Sequence, residues 1–181
     1  SELEKALRDA EEIIKKAKKL LKEALDEAEK IYREAAKLLD DALREAEKIY
    51  REAADALDKK VKDEKRAREA KEELKRALKE HRDDAKRAKD ELRKALEDHR
   101  RNIDKARREL DEIAKELRKL IKDADAKELR DRAKEAADRA KRAAEENRKK
   151  ARESLERAKR AAEDNRKKAE ESLKRAEETA R

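Results

Sequence analysis

Six of the few uncharged polar side chains form like pairs of ring or amide groups: Tyr32 and Tyr50, His81 and His99, Asn147 and Asn165. The members of each like pair stand eighteen residues apart. Phenol, imidazole and carboxamide groups all donate and accept hydrogen bonds, so one of each brought to a common level could satisfy the other two. Catalysis would ask for a nucleophile with an activating base in a cleft. The pattern puts no Ser, Cys or acid at the level of these groups, and three thin helices leave no room for a pocket, so no enzymatic activity is expected. A metal site would need converging ligands, but His81 and His99 lie about 27 Å apart along one helix. Three residues before each stands Leu78 or Leu96, where a Glu-x-x-His di-iron motif has glutamate. Catalytic residues, metal ligands and cofactors are therefore all expected to be none.

The elements that must position these groups follow from a repeat. Ala28, Ile31, Tyr32, Ala35 and Leu39 return as Ala46, Ile49, Tyr50, Ala53 and Leu57, and apolar residues three and four apart mark one face of an α-helix. Eighteen residues make five whole turns. Such a repeat keeps its apolar stripe parallel to the axis, whereas a seven-residue repeat would wind it left-handed. Straight, untwisted packing is expected. The same step links RALKEHR at 76–82 to KALEDHR at 94–100, and residues 142–159 to 160–177.

Composition narrows the class further. The 181 residues include no Gly, Pro, Cys, Met, Trp or Phe, and 60% are Asp, Glu, Lys or Arg. That palette favours helix throughout, and the sustained periodicity argues against disorder. There is no disulfide framework and no thiol chemistry. No apolar run is long enough to span a membrane, and SELEKALRDA lacks a signal-peptide core, so no targeting signal is expected and the compartment stays unknown. The net charge of +8 comes from 58 basic and 50 acidic side chains interleaved along the helices. Residues 126–181 hold 20 basic and 14 acidic residues, a net +6, which is the one feature inviting an anionic partner. No aromatic stacking platform accompanies it, so nucleic acid is an unfavoured partner.

Ser1 with Glu4, and Asp125 with Glu128, have capping-box spacing and mark helix starts. Helices are expected over about 2–62, 66–122 and 126–181. Antiparallel pairing of the first two sets Leu57 on Leu74, Leu39 on Leu92 and Leu21 on Leu110. Pairing of the second and third sets Leu117 on Leu129 and Ala95 on Ala151. This register forms two polar layers, Tyr32–His99–Asn147 and Tyr50–His81–Asn165, while Ile14, Leu117 and Leu129 fill the third repeat. Ser154 and Ser172 are expected to bond their own helix carbonyls.

These features resemble de novo designed, parametrically generated single-chain helical bundles. The likeness rests on the near-identical copies at 25–57, 76–100 and 142–177, the Glu/Lys/Arg/Ala surface and the opening Ser1-Glu2-Leu3. It implies a monomeric, very stable protein without a natural biochemical function. The expected fold is all-α, a single antiparallel up-down-up three-helix bundle over 1–181. It would serve as a rigid scaffold whose polar layers set helix register. The alternative is a binding module, either for an anionic polymer along the third helix or for a partner helix replacing it.

Overall fold

The structure, a computed structural model, describes residues 1–180 and is an all-α three-helix bundle. Helix α1 spans Glu2–Lys60, α2 spans Glu64–Leu120 and α3 spans Ala126–Ala180. These bounds lie within two residues of expectation, and Arg181, expected at the end of the third helix, falls outside the described residues.

Each helix start is capped by a side-chain oxygen, which satisfies backbone donors the helix leaves open. The Glu4 amide donates to Ser1 Oγ at 3.3 Å, and the Glu128 amide to Asp125 Oδ1 at 2.8 Å. Asp63 Oδ1 accepts from the Lys65 and Arg66 amides at 3.1 and 3.4 Å. This cap moves the start of α2 ahead of the expected position. Position 66 is arginine, so no capping-box signature announced it. The helix ends use no left-handed residue, since no described residue has positive φ. Instead the Leu120 carbonyl accepts the amides of Asp123 and Ala124 at 3.0 and 2.9 Å. Lysines at the end of α1 and Arg118 and Lys119 at the end of α2 complement the negative pole of each helix.

Backbone contacts gather into two compact units. Unit 1 comprises Ser1–Ile31 with Lys94–Glu153, and unit 2 comprises Tyr32–Arg93 with Ser154 onward. In unit 1 the core is built on Ile14, Leu21, Ile103, Leu110, Leu117 and Leu129, each 3% exposed or less. Ile121 and Ala124, in the connection between α2 and α3, pack onto the end of that core. In unit 2 the largest buried apolar side chains are Tyr32, Leu39, Tyr50, Leu57, Leu74 and Leu92, and α3 adds only Ala158, Ala162, Ala169 and Ala176 to its buried apolar set. Burying a leucine contributes about 1.5–3 kcal/mol and an alanine far less, so α3 is held more weakly in unit 2 than α1 or α2. Leu7, Leu25 and Leu43, also apolar positions of the α1 stripe, and Val61 just past its end are only partly buried. Ala17, Ala35 and Ala53 complete the inner face of α1, with steps of three and four between buried positions.

Ion pairs fix chain direction within each unit. In unit 1, Glu11 meets Arg118 and Glu29 meets Arg100, so α2 runs against α1. Asp9 meets Arg130 and Glu27 meets Arg148, so α3 runs with α1. Unit 2 repeats the scheme with Asp58–Lys71, Glu47–Arg82 and Asp40–Lys89 to α2, and Glu45–Arg166 to α3. Among the described residues no ion pair joins α2 to α3. Most of these pairs are exposed and each is worth about 0–1 kcal/mol, so they orient the helices more than they stabilise them. Lys18 also pairs with Asp111 and, by hydrogen bonding, holds that exposed carboxyl below the usual carboxylate range.

Candidate functional site: a buried tyrosine, histidine and serine

Unit 2 brings together one neutral polar side chain from each helix. Tyr50 Oη lies 3.3 Å from His81 Nε2 and 3.5 Å from Ser172 Oγ. Tyr50 and His81 are each 3% exposed, and their rings meet edge to face with centroids 5.3 Å apart at 84°. The hydroxyl can donate to one neighbour and accept from the other. His81 Nδ1 is buried and has no hydrogen-bond partner among the described residues.

The α1–α2 level is the expected one, but the third member of the cluster differs. Ser172 occupies the place given to Asn165, seven residues or two turns further along α3, about 10 Å. Asn165 is partly buried and makes no hydrogen bond among the described residues. The same displacement appears one repeat earlier, where Tyr32 Oη lies 3.4 Å from Ser154 Oγ. Asn147, expected there, is buried in unit 1. His99 is likewise buried in unit 1 at 3% exposed. The serines therefore do not simply bond their own helix: Ser154 reaches Tyr32 and also accepts from Arg157 at 3.1 Å, and Ser172 reaches Tyr50.

The displacement goes with a different second turn. The helix bounds expected from sequence left residues 123–125 to reverse the chain, whereas the connection runs over 121–125 and folds Ile121 and Ala124 against the core before α3 begins. Seven residues return a helix to nearly the same face, so asparagine and serine both point inward and only the level distinguishes them.

Burial dominates the electrostatics. It pushes the Tyr50 phenol up, with Glu80 adding to the effect while the Ser172 hydrogen bond and Arg175 oppose it. It pushes His81 below its ordinary value, assisted by Lys168 and opposed by Asp84 and Glu80. His99 is lowered by burial, with Lys150 assisting and Asp98 opposing. Neutral phenol and neutral imidazole are the stable forms near pH 7.

A serine does share the cluster, contrary to the expectation that none would. A groove of about 340 Å³ between α2 and α3 also reaches it, lined by Ala70, Ala77, Glu80, Ser172, Arg175 and Ala176 among others, where no pocket was expected. The order of contacts is nevertheless Ser172, Tyr50, His81, and the far imidazole nitrogen has no carboxylate to stabilise an imidazolium. In a Ser-His-acid arrangement that carboxylate holds the base in its working tautomer. The phenol is the one group of the cluster that meets both of the others. Among the described residues no three His, Cys, Asp or Glu side chains converge as a metal site, and no helix is long and apolar enough to cross a membrane. No protein-family model, curated protein or solved structure matches the chain.

Proposed function

We propose that the chain is a structural scaffold of designed rather than evolved origin, whose work is to hold three helices at one fixed register. The meeting of Tyr50, His81 and Ser172 carries this reading. An eighteen-residue repeat makes packings displaced by one repeat nearly equivalent for apolar side chains. Polar groups break the tie, because a displaced helix would strand a phenol or an imidazole in an apolar core at about 1–3 kcal/mol each. The eighteen-residue copies and the absence of Gly and Pro support a chosen sequence.

The reading predicts a monomer that unfolds in guanidinium with a midpoint above about 5 M. Light scattering across a hundredfold concentration range should return the mass of one chain. A midpoint that rises with protein concentration would instead identify an assembly whose register comes from partners. The basic excess of residues 126–181 favours an anionic polymer only weakly, since Arg130, Arg148 and Arg166 already meet carboxylates of α1. Retention on heparin that persists well above 0.15 M salt, where exposed charges are screened beyond about 8 Å, would favour that alternative.

A further inference from the structure

We propose that unit 2 contains a proton-operated latch: a proton taken up by His81 releases the part of α3 from Ser154 onward while unit 1 stays folded. The two imidazole nitrogens of His81 are placed differently. Nε2 is engaged by Tyr50 and Nδ1 has no acceptor among the described residues. A protonated ring carries N–H on both, so Nδ1–H would be stranded beside a charge that is 97% enclosed. The groups facing the ring offer little relief. From α1 comes the neutral Tyr50, from α2 come Glu80 and Asp84, and from α3 comes the like-charged Lys168. Asp84 is already engaged by Arg87.

Moving α3 is the easiest release. It removes Lys168, opens the ring to water, and gives up mainly alanine contacts together with the partly buried Leu155 and Leu173. Only Glu45–Arg166 ties this stretch to another helix by an ion pair among the described residues, and the groove already parts its edge from α2. Unit 1 also encloses an imidazole, His99, but there the alanines of α3 are joined by the fully enclosed Leu129 in a core of leucine and isoleucine, which holds the stretch in place.

The sign follows from linkage. The enclosed ring binds a proton less readily than the released one, so closure is fully favoured above the ordinary imidazole value of 6.5. It weakens as pH falls from there toward the lowered value of the closed form. Within that window the opening constant of the segment rises up to about tenfold per pH unit.

Hydrogen–deuterium exchange between pH 7 and 5, corrected for intrinsic rates, tests this. Peptides of α3 across 160–180 should lose protection up to about tenfold per pH unit while those across 126–145 keep theirs. His81→Leu should abolish the loss and His99→Leu should retain it. Should His81→Leu not fold, His81→Gln keeps a hydrogen-bonding group opposite Tyr50 and cannot take a proton. A loss that survives these changes at 81, that appears equally across 126–145, or that never appears, overturns the latch.

Discussion

Tyr50→Phe removes one oxygen and leaves the packing almost untouched, which makes it the sharpest probe of the polar cluster. The ring keeps its edge-to-face contact with His81, so no cavity opens. What remains is His81 Nε2 without its 3.3 Å partner, in a side chain 3% exposed. A buried polar group left unsatisfied costs about 1–3 kcal/mol. Ser172 is only partly buried and can turn to solvent, so it adds little. The variant should therefore lose about 1–3 kcal/mol, a factor of about 5 to 150 in the folding equilibrium, read as a lower guanidinium midpoint at unchanged slope. The combined Tyr50→Phe, His81→Leu, Ser172→Ala variant should recover most of that loss, because apolar replacement of a whole buried polar set is near neutral or stabilising. Register is then read separately. With Tyr32, His99 and Ser154 changed in the same way, cysteines at 45 and 166, joined by a bifunctional thiol reagent, report the native level, where the Arg166 guanidinium meets the Glu45 carboxylate at 3.0 Å. Cysteines at 45 and 148 report a displacement of one repeat. The protein with its polar groups intact should cross-link only the first pair, and the fully apolar form should cross-link both. A Tyr50→Phe change of under 0.5 kcal/mol, or an apolar form that still cross-links only the native pair, would refute the assignment of register to these groups.

Two further outcomes test the rest of the fold. Leu57→Ala, at a position with no exposure, should cost about 2–5 kcal/mol in chemical unfolding, while Leu20→Lys, at 37% exposure, should stay within about 0.5 kcal/mol. Asp125→Ala removes the 2.8 Å acceptor of the Glu128 amide and should lower stability by about 0.5–2 kcal/mol, with faster exchange of the first amides of α3.

Helix number, extent and the α1–α2 level were legible because leucines at three- and four-residue steps must face one another, and Tyr50 does meet His81. The level of α3 was not. Its inner face offers mainly alanines, whose nearly uniform small volumes match equally well after a two-turn shift, so Asn165 and Ser172 were equally plausible partners for Tyr50. The deciding information lay in Ile121, expected inside the second helix, and Ala124, expected in the turn, which both lie in the connection and pack on the core of unit 1. The cap at Asp63 escaped for a simpler reason, since a lone aspartate before Glu-Lys-Arg is common on so charged a surface.

The pairs between α1 and α2 in unit 2 all have the same polarity, and this sets a sense of winding. Lys71, Arg82 and Lys89 of α2 meet carboxylates of α1, while Glu73, Arg76 and Glu80 line the side shared with Arg175 of α3. In the mirror-image arrangement, with α2 and α3 exchanged around α1, Lys71, Arg82 and Lys89 would turn away from α1, and Asp40, Glu47 and Asp58 would lose these partners. Each lost pair is worth only about 0–1 kcal/mol. Repeated along the edge, the losses disfavour the wrong-handed topology, a chirality that the apolar stripes alone would leave open.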